Sequence, residues 1–259
     1  MDNNNQLQVI SPAVLAKAEQ DFAAVCLQAQ ELQLAENAGA AFRAVGVVTS
    51  LRQILTEDIM NAVFMPLMNT TVGFLTDKDP NKMNKQGVRP SPYPTAVVRD
   101  CLIDAVMEGL LPTGNQFNII AGRMYITNEG YSYLLKKKNV RHMISKTILP
   151  AAPNSPFVDV KCSINYLIND EPGKPFSITV QCKQDAYASP DQIKGKADRK
   201  AKKTLYEFIT GVDLRDGDVA SADDDLPVDE QPQPSIEERK QAMRERQQGM
   251  EPNNLFDKQ

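Results

Sequence analysis

The sequence predicts an α+β protein with N-terminal helices, two β-hairpins forming a small antiparallel sheet packed on a long basic helix, and a disordered acidic C-terminal tail. Three observations support this prediction. Apolar residues recur at helical spacing over residues 11–65. Two segments alternate apolar and polar residues over 158–168 and 176–183, as paired strands do. Residues 212–259 are acidic and poor in large apolar side chains, which is typical of disorder.

The domain boundaries follow from these changes in composition. We expect one core over residues 1–211, with a helical part at 1–65 and an α+β part at 95–211. Residues 212–234 are expected to be an acidic disordered linker, and residues 235–259 a short helical tail.

The helical part contains three predicted helices. The first begins at Ser11–Pro12, the second covers residues 36–55, and Thr56 caps the third, which Pro66 interrupts. Residues 77–94 contain several prolines and basic residues and are predicted to be a loop.

A fourth helix starts near Thr95 and stops before Pro112. A tight hairpin is predicted around Gly122–Arg123, after which Thr127 or Asn128 caps a short helix that ends in three lysines. A second hairpin pairs residues 158–168 with 176–183, and its inward positions alternate in both strands.

The segment from Ser189 to Gly211 predicts the long basic helix. Ser189 is its N-cap, Pro190 is its first residue and Gly211 ends it. One apolar stripe contains Ile193, Ala197, Ala201, Leu205 and Phe208–Ile209. The other faces carry Lys194, Lys196, Arg199, Lys200, Lys202 and Lys203. A charge run of this kind is commonly a solvated helix face, so the distribution of charge along the rest of the chain matters.

The net charge of −4 hides a segregation along the chain. Residues 1–75 carry three basic and seven acidic side chains, residues 76–211 carry twenty and thirteen, and residues 212–259 carry six and thirteen. The middle of the chain is therefore +7 between acidic ends of −4 and −7. A basic middle of this kind favours binding to a polyanion.

Cysteine usage and targeting signals indicate a cytoplasmic protein. Cys26, Cys101, Cys162 and Cys182 lack the spacing of a metal site and are expected to be thiols, although Cys162 and Cys182 could face each other on paired strands. The N-terminus lacks the features of a signal peptide, and no apolar run is long enough to span a membrane.

Evidence for an enzyme is weak, and we expect neither a catalytic site nor a cofactor or metal. The single histidine, His142, has no partner at triad or metal-ligand spacing, and the GxxxxGK[ST] phosphate loop does not occur. Asp100, Asp104 and Glu108 fall on one helix face, which leaves a metal-dependent nuclease as a remote alternative.

Binding of single-stranded nucleic acid is better supported, because it needs cations for the phosphates and flat side chains for the bases. The predicted phosphate contacts are Arg123, Lys136, Lys137, Lys183, Lys194, Lys196, Arg199, Lys200 and Lys203. The predicted base-stacking side chains are Phe117, Tyr125 and Tyr131, although aromatic residues in such segments also commonly serve in packing.

Three blocks of sequence, taken in order, resemble the RecT/Redβ group of phage single-strand annealing proteins. The blocks are LTEDIMNAV with VVRDCLIDAVMEGLLPTG, then QFNIIAG with EGYSYLLKK, and finally ADRKAKKTLYEFI, and together they cover roughly residues 51–211. Family-like positions are Arg199, Lys203, Leu205 and Phe208. Positions that depart from the family pattern are Asp198, Lys200, Thr204 and Glu207.

The resemblance implies annealing of complementary strands without ATP, in recombination of a phage or prophage. It implies as partners single-stranded DNA, the annealed duplex intermediate, and further copies of the chain in a ring or helical filament, for which residues 11–65 would supply contacts. A phage exonuclease or a host single-strand-binding protein would bind the C-terminal tail. The alternatives are an accessory protein that binds single-stranded DNA or RNA without annealing and, more remotely, the nuclease or a phage structural protein.

The tail itself leads to two expectations. Its acidic segment ASADDDLPVDE would compete weakly with DNA for the basic core, while residues 235–248 and Asn254–Phe256 would engage a partner. The alternative is a solubilising tail that contacts nothing.

Overall fold

Two long helices form the N-terminal part of the protein. The computed structural model describes residues 10–32, 39–83, 87–151, 155–183 and 189–212. Helix α1 spans Pro12–Leu32 and α2 spans Gly39–Ile54, as the apolar spacing predicted. The two helices pack on each other and on α4, which spans Thr95–Met107. They bury few side chains in doing so: Val25 and Ala29 from α1, and Val47 and Leu51 from α2.

The predicted third helix is present but changes its hydrogen-bond pattern along its length. It begins as α3 at Glu57–Ile59, continues as a π-helix over Met60–Phe64 and ends as a 3₁₀ turn at Met65–Leu67. The Thr56 side chain accepts a hydrogen bond from the Ile59 amide at 3.4 Å, so the predicted cap is confirmed. Pro66 lies in the final turn, where its missing N–H stops the helical ladder, as predicted.

The first hairpin belongs to a small three-stranded sheet. Strand β2 (Phe117–Ile120) lies between β1 (Leu75–Thr76), which runs parallel to it, and β3 (Arg123–Ile126), which runs antiparallel. The turn residues are Ala121 and Gly122, with φ of 51° and 73°, and this two-residue turn lies one residue before the predicted position. Thr127 then caps α5 (Asn128–Lys137) by accepting a hydrogen bond from the Gly130 amide at 3.0 Å.

The second hairpin belongs to a separate antiparallel sheet. Strand β5 (Phe157–Ile168) is central, with β4 (Val140–Ile148) on one side and β7 (Phe176–Lys183) on the other; the short β6 (Glu171–Pro172) also pairs with β5. The predicted inward alternation of β5 and β7 is confirmed by pairs such as Val160 with Val180. Strand β4 was missed, because His142 and Lys146 occupy two of its inward positions and hide the alternation.

The predicted α+β class is therefore confirmed, but the arrangement of the hairpins differs from the expectation. The two hairpins do not join into one sheet, since β1 occupies the second edge of β2 and β4 occupies the second edge of β5. In the part of the chain described, every helix is shorter or more polar than a membrane span requires.

The long basic helix, α6, spans Pro190–Thr210 and confirms the predicted ends. Ser189 and Gln192 form a capping box, and Gly211 ends the helix at φ 69°, a conformation that glycine adopts without steric cost. The helix packs across the inner face of the second sheet through most of its predicted apolar stripe, including Ile193, Ala197 and Leu205. Phe208, predicted in the same stripe, is 63% exposed instead and packs at the edge of the sheet against Tyr166 and Phe176.

Buried cysteines lie beneath α6. The Sγ atoms of Cys162 and Cys182 are 3.9 and 3.8 Å from the carbonyl oxygens of Ala197 and Ile193, respectively. Both are free thiols, as are Cys26 and Cys101. Cys162 and Cys182 share a sheet face but do not face each other, because Cys162 pairs with Ile178 and Cys182 with Val158. The predicted linker and tail cover residues 212–259, of which all but Val212 lie outside the described residues.

Candidate nucleic-acid interface

One face of α6 carries lysines that point away from the protein interior. Lys196, Lys200 and Lys203 follow one another at spacings of four and three residues, which places them on the same side of the helix. Lys196 is exposed, and Lys200 and Lys203 are half-buried. Lys203 also pairs with Glu207, with 3.5 Å between Nζ and Oε1. We call Lys196, Lys200 and Lys203 the basic strip.

Strand β7 borders the basic strip on one side. The ammonium of Lys196 donates a hydrogen bond to the Lys183 carbonyl oxygen at 3.3 Å, and that of Lys200 donates to the Gln181 carbonyl oxygen, also at 3.3 Å. These contacts cover backbone acceptors on the outer side of β7, where an edge strand would otherwise be open to pairing. The Lys183 side chain itself projects to the opposite face of the sheet, because it alternates with the buried Cys182.

Strand β3 borders α6 on the other side through a cation–π contact. The Arg199 guanidinium carbon lies 4.3 Å from the centre of the Tyr125 ring. Arg199 is buried, so its main role in this geometry is to attach β3 to α6 rather than to reach a phosphate. Arg123 is exposed two residues earlier on the same side of β3, and it extends the positive surface beyond Tyr125.

Three further predicted phosphate contacts, besides Lys183, also lie away from the basic strip. Lys194 precedes Lys203 by two and a half helical turns and therefore projects about 180° away from the basic strip. Lys136 and Lys137 lie in the last turn of α5, at the opposite end of that helix from β3. The Lys137 ammonium lies 5.6 Å from the centre of the Tyr133 ring and donates to the Gly109 carbonyl oxygen at 3.4 Å.

Two of the three predicted stacking residues are buried in the core, so their predicted role is wrong for this conformation. Phe117 is fully buried and stacks on Phe74, with 5.1 Å between ring centres. Tyr131 is also fully buried, on the same face of α5 as Leu134 and Leu135. Neither ring can contact a base without leaving the core. Tyr125 is half-buried and already packs against Arg199.

The sequence did not reveal a cluster of buried charged side chains that lies between the middle of α6 and the neighbouring elements β4 and α5. Asp198 accepts hydrogen bonds from Lys146 on β4 and, at 2.9 Å, from Lys202 one turn along α6. Lys202 also donates to the Ser132 hydroxyl of α5 at 2.9 Å. The side chains of Asp198 and Lys202 are only 13% and 11% exposed, and that of Lys146 is 26% exposed. This cluster fixes α6 against β4 and α5, so it sets which face of the helix carries the basic strip.

The protonation states within the cluster follow from its geometry. Burial alone would raise the pKa of Asp198, but the hydrogen bonds from Lys146 and Lys202 outweigh it, and the pKa is lowered. The pKa of the neighbouring His142 is also lowered, first by burial and then by the positive charges of Lys202 and Lys146, against the opposing effect of Asp198. His142 therefore remains neutral at pH 7.

We expect stability to fall as the pH drops below 6.5. The unfolded chain then binds a proton at His142, whose ordinary pKa is 6.5, more readily than the folded protein does. The contribution of neutral His142 to stability is therefore fully present above pH 6.5 and is lost as the pH falls towards the lower pKa of His142 in the folded protein. Asp198 adds a further loss of stability in stronger acid, because its pKa is also lowered in the folded protein. Urea unfolding of wild type and His142→Gln across pH 7 to 5 measures this effect. Identical pH profiles for the two proteins would show that His142 does not contribute.

The remote alternative of a metal-dependent nuclease rests on Asp100 and Asp104 of α4 and on Glu108, which caps its C-terminus. Asp100 pairs with Arg52, with 3.5 Å between the charged atoms. Burial raises the pKa of Asp104 and of Glu108, and the neighbouring carboxylates add to both shifts. Across the described ranges, no three His, Cys, Asp or Glu side chains come together in a way that could hold a metal ion.

Comparisons of this chain with protein-family models, with curated proteins and with solved structures found no match.

Proposed function

We propose that this protein binds single-stranded DNA along the basic strip and anneals complementary strands without ATP. The observation that carries the proposal is the geometry of α6. Lys196, Lys200 and Lys203 form one row beside β7. Arg199 packs on Tyr125 instead, and Asp198 and Lys202 belong to the buried cluster. A row of cations with little apolar surface suits a phosphate backbone rather than an apolar ligand.

The physical basis of annealing in this proposal is electrostatic. Two single strands repel each other through their phosphates, and cations that neutralise one strand release its counterions and lower that repulsion. A strand held by its phosphates keeps its base edges available, so a second strand can test for pairing. The sequence blocks that resemble phage annealing proteins support the same function, and we propose that it serves phage-type recombination in the host cytoplasm.

The test is annealing of two complementary oligonucleotides with no nucleotide present. Acceleration over the spontaneous rate supports the proposal. Tight binding without acceleration would instead identify an accessory protein that only binds the single strand.

We also propose that the helices α1 and α2 mediate self-association. Phe42 is 84% exposed and Val45 is 67% exposed on α2, and Val14 and Leu27 are exposed on α1. Phe42 and Val45 are one helical turn apart and therefore lie on the same face of α2, and an exposed apolar face of this kind can serve as a protein–protein interface. A second copy of the chain is the partner that annealing would use, because many protomers can then hold one strand.

Replacing Phe42 and Val45 by Ser should therefore lower the apparent mass in light scattering, with and without single-stranded DNA. Val72→Ser is the control, because Val72 is 62% exposed but lies outside α1 and α2. A wild-type protein that stays monomeric at concentrations that support annealing would contradict the proposal.

A further inference from the structure

The outer face of the second sheet, opposite α6, changes in character along its length. In its middle it carries short hydroxyl side chains: Ser145, Thr147, Ser163, Ser177 and Thr179. Met143 lies towards one end of the same face, and 64% of its surface is exposed. A ligand that covered Met143 would remove apolar surface from water, which is favourable.

A cleft surrounds Met143. The base of the cleft is formed by two neighbouring residue pairs of β4 and β5, Arg141 with Leu167 and Met143 with Asn165. Pro172 of β6 and Pro175, three residues later, form a wall, and the cleft has a volume of about 460 Å³. Its volume lies within the roughly 300–1,000 Å³ of small-molecule sites and its lining, like theirs, combines apolar walls with a few polar groups, but the cleft is broadly open to solvent.

The wall of this cleft is held in place by Gly173. Its amide donates a hydrogen bond to the Tyr166 carbonyl oxygen at 3.0 Å, and its Cα lies against the Tyr166 ring. A Cβ at this position would come within 2.1 Å of that ring, so no larger residue fits without moving the wall. These two contacts set the position of Gly173 in the wall of the cleft.

A second cleft adjoins the first and shares Arg141 with it. It is lined by Lys136, Asn139, Arg141, Asn169 and Asp170, and its volume is also about 460 Å³. Arg141 forms an ion pair with Asp170, and both side chains remain largely exposed. Together Lys136 and Arg141 outweigh Asp170, so this second cleft carries net positive charge.

We propose that these adjoining clefts bind one nucleotide, with its base over Met143 and its phosphate at Arg141 and Lys136. Apolar contact from Met143, Leu167 and the prolines suits the faces of a base. The Asn165 amide offers a donor and an acceptor side by side, a pair that matches the edge of adenine. Arginine and lysine are the usual phosphate ligands, and the fork of Arg141 can contact a phosphate while Asp170 holds its position.

This inference is independent of the basic strip on α6. The ligand chemistry has two possible sources, a nucleotide within a DNA strand or a free mononucleotide. One experiment has an arm for each source. The full-length protein is irradiated with 8-azido-dAMP, or with an oligo(dT) that carries a single 8-azido-deoxyadenosine, and the labelled peptides are identified by mass spectrometry.

The expected label falls within residues 141–143, 165–167 or 172–175 and is suppressed by excess dAMP. Because a matched amide–adenine pair discriminates by roughly fivefold or more, Asn165→Ala should lower labelling at least about fivefold. Met143→Ser, which copies the hydroxyl side chains of the same face, should also lower it. Thr147→Ala on the same strand is the control and should label like wild type.

The mononucleotide and oligonucleotide labelling experiments test this inference separately from the proposed function. Labelling of the clefts by the mononucleotide supports the inference even if the protein fails to bind oligonucleotides. Labelling by the oligonucleotide arm alone assigns the site to a nucleotide within a strand. If oligonucleotides bind but both arms label only residues outside these ranges, or if the Asn165 and Met143 variants label like wild type, the inference is overturned while the proposed function stands.

Discussion

Replacing Lys196, Lys200 and Lys203 together by Gln should lower the slope of log affinity for single-stranded DNA against log salt by about 2. Each phosphate contact with a single strand contributes about 0.7 to that slope, and the basic strip is proposed to make three. If the affinities of variant and wild type converge at 1 M salt, the variant binds about a hundredfold more weakly at 0.1 M. Fluorescence anisotropy with a labelled oligo(dT) over a salt series measures both quantities.

A charge-matched control separates local contacts from net charge. Lys17, Arg43 and Lys161 are exposed cations outside the basic strip, and replacing all three by Gln changes the net charge by the same amount. This control should shift affinity only slightly and leave the slope nearly unchanged. Equal effects from the two triple variants would mean that α6 is not the binding surface.

Asp198→Asn should cost about 3 kcal/mol of folding free energy, because it leaves Lys146 and Lys202 positively charged in a mostly buried site. We take the lower end of the range for broken buried pairs, since Lys146 retains some contact with solvent. Urea unfolding at pH 7 measures the change. Lys203 and Glu207 provide the matched control, with the same four-residue spacing on the same helix but greater exposure. Glu207→Gln should cost only about 0.5 kcal/mol or less.

A second variant tests whether the cluster acts through its unpaired charge. Replacing Lys146 and Lys202 by Met together with Asp198→Leu removes all three charges and should recover most of the lost stability. If Asp198→Asn costs no more than Glu207→Gln, the cluster does not stabilise the packing of α6.

Local signals in the sequence were enough to place most helices and strands. Ser189, Pro190 and Gly211 set the ends of α6 through contacts within a few residues, so the prediction needed no tertiary information. The same holds for the Thr56 and Thr127 caps. Strand β4 could not be recognised from the sequence because Lys146 faces inward and breaks the alternation of apolar residues. The partner that compensates the charge of this partly buried lysine, Asp198, lies 52 residues away along the chain.

The candidate site was predictable only in part, for the same reason. Helical spacing places Lys196, Lys200 and Lys203 on one face, but it does not show that Arg199 turns to Tyr125 or that Lys202 turns to Asp198. Tyr131 could have been assigned to the core, because Tyr131, Leu134 and Leu135 follow the spacing of a buried stripe. Phe117 gave no such signal, since a four-residue strand does not reveal which of its faces is buried.

The activity proposed for this protein is annealing of complementary single strands through the basic strip without a nucleotide cofactor. The most direct measurement is the rate of energy transfer between two complementary, dye-labelled oligonucleotides, recorded at low salt with wild type, the basic-strip variant and the charge-matched control. We predict that wild type and the control accelerate annealing equally with or without ATP, and that the basic-strip variant falls towards the spontaneous rate. Annealing by wild type no faster than the spontaneous rate, under conditions where it binds the single strand, would contradict the proposal.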